Sequence, residues 1–488
     1  MLFEIMQCTV GPAIRNRVVP DREQQETQLA KNNDTNLSDE NSARSPGISW
    51  DELAAADSRR VPDCLTEDTY QYLGSEPLST DRYTSPEFFR REIDKMWPHV
   101  WQFAAREEEI RNSGDVVLYE NAGRSYLVTR QADGSVKAFH NVCLHRGRKL
   151  RTSNGAVGEF RCTYHGWSWN TDGALKHIPS RWDFKHLDDQ ELSLPEAEVG
   201  RWGGFIFIRE EPGGPTLEEY LGPLVEHFKR WKPEQRVTTA WAAKIVPANW
   251  KACAEAFMEA YHVVATHPQI MPFTGDAISK YSLYGDHANL AVTPFGVTSP
   301  HLADTSLEPQ EVMDAFLKCN GRVVPKDTAI PVPEGQTARE TMGDFNRRRF
   351  GEMAGKDLDF ASDAEVQDAF TYNVFPNMSP WGGFSPSVLY RWRPWPDQDH
   401  TLMEVRILTP VPEGQPMPAA VPMRLLEADE TWGSAMGVLG EIVDQDMGNL
   451  PYVQSGMKVS KNKQLHLANY QEVRIRHFHQ TLDKYLAK

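Results

Sequence analysis

The sequence predicts an α+β protein in which a small all-β module is inserted near the N-terminal end of a larger α+β domain. Three observations lead there. With 488 residues the chain exceeds what one hydrophobic core usually organises. Short apolar strands and tight turns fill residues 101–210. Beyond them helical spacing alternates with longer strand-like runs.

Residues 21–58 are mostly Asn, Asp, Glu, Gln and Ser, with too few apolar side chains to offset chain entropy. Residues 1–75 are therefore expected to form a disordered or loosely attached arm. Residues 76–98 open the larger domain, with Ser85 capping a helix that has Pro86 first and runs through Phe88, Phe89, Ile93 and Met96. The β module spans 99–211. One hairpin turns at Ala132-Asp133-Gly134 and a second at Asp172-Gly173, and Gly204-Phe-Ile-Phe-Ile is the last strand. Residues 212–488 form the rest of the larger domain. There 217–231, 250–265, 425–442 and 473–486 have helical spacing, while 387–393 and 401–408 read as strands. Residues 321–335, rich in Pro and charge, read as a loop.

Composition narrows the function. A formal net charge of −16 excludes nucleic acid and an anionic membrane surface, and it suits a basic protein partner. Six cysteines are too few for a disulfide framework and fit a reducing cytoplasm. No run reaches the ~20 apolar residues of a membrane helix. The opening residues lack the basic start and apolar core of a secretory signal.

The strongest chemical signal is Cys143-Leu-His145, followed after sixteen residues by Cys162-Thr-Tyr-His165. Two thiolates and two imidazoles can hold a Rieske [2Fe–2S] cluster or a structural zinc. The flanks, Arg146-Gly147-Arg148 and Gly166-Trp167, are glycine-bearing turns that could bring backbone amides near sulfide. A second constellation lies in Asn249-Trp-Lys, Glu255, Glu259, Tyr261-His262 and His267. On a continuous helix Glu259 and His262 share a face, whereas His262 and His267 lie about 140° apart. Both imidazoles can therefore reach one metal only if the helix ends between them, and Pro268 supplies a break. Two His and a distant carboxylate make the facial triad of non-haem Fe(II) oxygenases. Asp444 and Asp446 are the candidate third ligands.

Cys143-Leu-His-Arg-Gly and Cys162-Thr-Tyr-His-Gly-Trp resemble the cluster loops of the Rieske-type non-haem iron aromatic-ring-hydroxylating oxygenases, in their large (alpha) catalytic subunit. The Asn-Trp-Lys to His267 segment and Asn373-Val-Phe-Pro-Asn-Met resemble the same family, and the likeness covers about residues 81–486. It implies a Rieske domain inserted into a helix-grip (START-like) catalytic domain. It also implies one [2Fe–2S] cluster on Cys143, His145, Cys162 and His165, and one mononuclear Fe(II) on His262, His267 and Asp446. The family places its acid eight residues before a Gln, one further residue and then Gly, a register that selects Asp446 over Asp444 through Gln454 and Gly456. Glu259 stands where the family most often has Asp, the residue that bridges a neighbouring subunit's cluster to the iron ligand.

The resemblance further implies an O2-dependent oxygenase acting on an aromatic or polycyclic organic substrate, by ring hydroxylation, monohydroxylation or oxidative demethylation. A ferredoxin or flavin reductase would carry electrons from NAD(P)H, and the assembly would be a homotrimer or an α3β3 complex. A respiratory-type Rieske carrier does not fit, since the loops lack its two extra cysteines and about 280 residues remain. A Rieske redox or binding protein without mononuclear iron, and a hydrolase using the second site alone, are the competing readings.

Overall fold

A computed structural model of the chain describes residues 45, 47–319 and 328–488. Residues 1–44 and 46 of the expected arm, with Cys8, and residues 321–327 of the expected loop lie outside the described residues.

The chain first lays down helices α1 (Trp50–Ala55) and α2 (Pro86–Arg91). Ser85 caps α2 by accepting from the Phe88 amide, with Pro86 in the first turn, as its sequence predicts. The β module follows. Strands β1 (Gln102–Arg106), β2 (Asp115–Asn121), β3 (Arg124–Arg130), β4 (Val136–His140) and β5 (Gly155–Ala156) join β9 (Glu196–Trp202) and β10 (Phe205–Arg209). Their order is β1-β10-β9-β4-β3-β2-β5. The β3–β4 turn closes as Asp133 accepts from the Ser135 amide and hydroxyl, with Gly134 at φ +83. Strands β6 (Phe160–Arg161), β7 (Ser168–Trp169) and β8 (Leu175–His177) form a second small sheet.

The larger domain is an eight-stranded sheet. Its strands are β11 (Arg236–Val246), β12 (Lys280–Tyr284), β13 (Ala288–Thr293), β14 (Ala369–Val374), β15 (Met378–Pro380), β16 (Ser387–Pro394), β17 (Thr401–Pro410) and β18 (Arg424–Leu425). The order is β12-β13-β14-β15-β16-β17-β11-β18, antiparallel except for the last pair. Among its helices are α3 (Trp250–Glu255), α4 (Val263–Thr266), α5 (Ala338–Ala354), α6 (Val438–Val459) and α7 (Val473–Leu486). Ile475, Phe478 and Leu482 of α7 pack with Trp97 and Trp250 in one apolar core, so the front segment and the C-terminal helix share a cluster. Glu92 meets Lys251 at 2.5 Å with both side chains fully buried, tying that front segment to α3.

Charged side chains join the two sheets. Arg391 of β16 donates to the carbonyls of Phe103 and Ala104 on β1, and Arg406 pairs with Glu109 at 2.7 Å. Burial pushes the Glu404 carboxyl up, but Arg391, Arg393 and Arg406 outweigh it and hold the group well below the usual carboxylate range.

Three expectations are corrected. The described part of the arm is docked, not loose: Trp50 is 1% exposed and donates from Nε1 to Asp368 at 2.9 Å. Asp51 pairs with Lys280, and Asp57 with Arg339, so the stretch's few apolar residues and its acids find buried partners that composition cannot show. Residues 250–265 are not one helix, because α3 stops at Glu255 and α4 begins only at Val263. Finally, 424–425 is an edge strand, and the expected 425–442 helix starts later, with a turn at Gly433–Met436 and then α6.

Candidate metal centres

The two Cys-His loops stand at the ends of the module's sheets and are built alike. The Gly147 amide donates to the Cys143 carbonyl and the Cys143 amide to Arg148. In the second loop Gly166 donates to Cys162, and Cys162 to Trp167. Gly147 and Gly166 have φ of +74 and +78, the left-handed conformation that closes each turn and that a side chain would strain. The amides of His145 and Arg146 face the Cys143 sulfur, and those of Tyr164 and His165 face Cys162. Burial pushes the Cys143 thiol up. The ring centroids of His145 and His165 are 4.5 Å apart, and His145 stacks on Trp167 at 5.1 Å.

Both sulfurs are buried and the side chain of His165 is exposed, with Arg146, Arg148 and Lys149 exposed beside it. The Nδ1 of His145 is buried without a partner among the described residues, an orphan that a metal bond would satisfy. The donor set, the amides aimed at sulfur and this orphan nitrogen fit a [2Fe–2S] cluster with two Cys and two His ligands.

The second site gathers residues far apart in sequence. The break between α3 and α4 lets the chain turn at 256–262, and Pro268 ends α4, with His267 at φ −125 and ψ 51. One ligand atom from each of His262, His267 and Asp446 lies within 4.8 Å of the others. Asp446 Oδ1 is 2.7 Å from His267 Nε2 and 3.5 Å from His262 Nε2. The outer nitrogens are held as well: His262 Nδ1 is 2.7 Å from Glu259 Oε1, and His267 Nδ1 is 2.8 Å from Gln445 Oε1.

Each Nδ1 has its own acceptor and each Nε2 faces Asp446, so with the protons on Nδ1, as metal ligation through Nε2 requires, both Nε2 lone pairs would point at the carboxylate. Two lone pairs and a carboxylate oxygen then converge on one point, which calls for a cation. Nitrogen and oxygen donors in this number suit ferrous iron and leave positions for other ligands. Burial pushes the His262 imidazole down, yet the hydrogen bond and charge of Glu259 and the charge of Asp446 raise it overall.

Asp444 is placed elsewhere. Its carboxylate accepts from the Trp432 and Gly433 amides at 2.8 and 2.9 Å, pinning the turn before α6. Glu259 is in a turn instead of on a helix face, but its other oxygen still accepts from the His262 amide at 2.9 Å. Glu255 faces away, toward His479 and Tyr83. Phe257 packs on Tyr390 at 4.4 Å, and Met258 and Phe273 are buried in core clusters. Sequence reasoning missed Gln445 and Trp167. The first adjoins Asp446 and the second follows the His165-Gly166 pair, but nothing in the spacing marks either as a support for a histidine.

Residues 225–488 match the ring hydroxylating alpha subunit (catalytic domain) family, and residues 100–187 match the Rieske [2Fe-2S] domain. The chain is 32% identical over 191 residues to the chlorobenzene dioxygenase subunit alpha of Cupriavidus sp. (strain PS12), covering 38% of this chain and 42% of that protein. It is 30% identical over 194 residues to the carnitine monooxygenase oxygenase subunit of Escherichia coli (strain K12), covering 38% and 50%. The alignments thus span about half or less of these curated relatives' length. Among solved structures, a quaternary ammonium Rieske monooxygenase in complex with L-carnitine superposes with TM-score 0.59 at 17% identity, covering 87% of this chain and 99% of that one. The naphthalene 1,2-dioxygenase from Rhodococcus sp. bound to indole gives 0.56 at 20%, covering 84% and 94%. At those identities the likeness is one of fold.

Proposed function

The chain belongs to the ring-hydroxylating oxygenase alpha subunits, and from that premise we propose that it catalyses O2-dependent oxidation of an organic substrate. The observation that carries this reading is the convergence of His262, His267 and Asp446 in a chain that also presents the two Cys-His loops. Cys143, His145, Cys162 and His165 would hold the [2Fe–2S] cluster, and His262, His267 and Asp446 the iron. When bound, the cluster supplies single electrons and the iron supplies oxygen activation.

The chain's own residues prepare both. Glu259 and Gln445 fix the ring orientation of the iron histidines, and Trp167 fixes that of His145. Glu259 is also the bridge to a neighbouring copy. Its carboxylate is bonded to His262, while His165 is exposed, so a second copy's His165 could reach it in a homotrimer or an α3β3 assembly. The solved quaternary ammonium monooxygenase is described as using inter-subunit electron transfer, which supports this arrangement.

A ferredoxin or flavin reductase would deliver electrons from NAD(P)H, in a cytoplasm whose reducing conditions suit the free cysteines. The relatives' names span aromatic and quaternary ammonium substrates, so the class is an aromatic, polycyclic or N-methylated organic compound, and the outcome hydroxylation or demethylation. Purified protein should carry about three irons and two labile sulfides, with a reduced EPR signal averaging near g ~1.9. Stoichiometric zinc would end the reading, and about two irons would mean a Rieske redox protein without the mononuclear centre.

A further inference from the structure

Two residues that the sequence motifs single out are not metal ligands: Asn249, which opens the Asn-Trp-Lys segment, and Gln454, eight residues after Asp446. The fold brings them together. Both are buried, at 1% and 3% exposed. The Asn249 amide donates to Gln454 Oε1 at 3.0 Å. Gln454 Nε2 donates to Asp399 Oδ1 at 2.8 Å and to the Tyr83 carbonyl at 3.3 Å. Asn249 Nδ2 donates to the carbonyls of Gln398 at 2.7 Å and Tyr83 at 3.1 Å, while its Oδ1 caps α3 by accepting from the Lys251 amide. Each side-chain amide thus uses its oxygen and both N–H groups. A fully satisfied buried network of this kind specifies one arrangement of the elements it joins.

Those elements carry the triad. Asn249 is the N-cap of α3, which leads into the turn holding Glu259 and His262. Gln454 lies on α6 about two turns beyond Asp446, and Val443, Asp446, Leu450 and Gln454 form one buried stripe along that helix. Val443 and Leu450 pack in one core cluster with Cys253, Ala254 and Met258. Apolar contacts set how closely α3 and α6 approach, and a buried polar contact fixes the register that apolar packing leaves looser. A slip of one residue would move Asp446 by about 1.5 Å, several times the ~0.2 Å tolerance of a metal–ligand distance.

We infer that Asn249 and Gln454 are positioning residues for the iron centre: their clamp sets the register of α6 against α3, and so the distance from Asp446 to the two histidines. The inference rests on the triad being the iron site, and it adds what holds the distant carboxylate in place. Gln454 is about 12 Å along α6 from Asp446, so it acts through the helix and not by contact.

Competition for the mononuclear iron between the loaded protein and a ferrous chelator reads this role directly, with the cluster's EPR signal and the unfolding midpoint recorded alongside. Gln454→Met keeps the length and removes every polar contact. It should weaken ferrous binding at least about tenfold with an unchanged cluster signal. Asp444→Ala, on the same helix, is the control, with a lowered midpoint and wild-type iron affinity. Gln454→Glu leaves an acceptor for the Asn249 amide but sets a carboxylate against Asp399. It should weaken iron binding at least about threefold and serves if the methionine variant does not fold. Adding Asp399→Asn restores a donor to that contact and should recover most of the loss. A lowered midpoint with wild-type iron affinity in the Gln454 variants would make the pair ordinary core contacts and overturn the inference. An equal loss of iron affinity in Asp444→Ala, or no recovery in the double variant, would overturn it too. Wild-type protein that holds no mononuclear iron would instead count against the proposed function.

Discussion

The two candidate metal centres are built from opposite ranges of the chain. The cluster loops take all four donors from residues 143–165, and each loop is closed by its own backbone hydrogen bonds around one left-handed glycine. The triad takes two donors from a turn and a short helix and the third from α6, 179 residues beyond His267. His165 is exposed, whereas the side chains of His267 and Asp446 are 3% and 5% exposed. The difference separates a site made by local turns, presented outward, from one made by packing, held inward. A local site is lost when its own ligands change, while a packed site is also lost when the elements carrying it shift.

Single ligand changes should break the comparison cleanly. Cys162→Ala should remove the cluster and its spectrum, and lower iron from about three to about one per chain with the triad still loaded. Asp446→Ala should do the reverse, keeping the cluster spectrum, lowering iron to about two and abolishing O2 incorporation. Asp444→Ala should keep all the iron and cost only about 1–3 kcal/mol of stability, from two amides left without an acceptor. Iron content, EPR and thermal unfolding read the three variants. Loss of iron in Asp444→Ala but not in Asp446→Ala would reverse the assignment.

Acid should distinguish the two domains next. Burial pushes His227 and His287 of the larger domain down to about 4, and each is bonded to a tyrosine hydroxyl, of Tyr372 and Tyr485. Above the ordinary imidazole value of 6.5 both are neutral, folded or unfolded, and add no pH dependence. Below it the unfolded chain takes up protons that the folded one refuses until about pH 4, so stability falls across that window. The loss approaches about 3 kcal/mol per histidine. Urea unfolding at pH 7 and pH 5 should show the larger domain weakening, and His227→Gln should reduce the effect. An unchanged midpoint would sink the idea.

Glu259→Gln is the smallest and sharpest change, because it touches the contact that would connect the two sites. Both metals should stay bound, while oxidation of the reduced cluster in a single turnover slows by at least about tenfold. An unchanged rate would make Glu259 a support for His262 alone.

Much of this molecule is legible in its sequence. The Cys-His loops, the hairpin at Asp133-Gly134, the Ser85 cap and α7 at 473–486 all depend on residues within a few positions of each other. Local turn chemistry, capping and periodicity settle such elements wherever the chain later folds. The triad was legible only as a list of donors, through spacing and family register. Tertiary structure decided the rest. It stopped α3 at Glu255, so that Glu259 meets His262 from a turn, and it gave Asp444 to the Trp432–Gly433 amides while turning Asp446 toward His267. It also docked Trp50 against Asp368, in a stretch whose composition reads as a loose arm. Those outcomes depend on partners up to 318 residues away, and no local pattern encodes which buried amide, carboxylate or indole will be within reach.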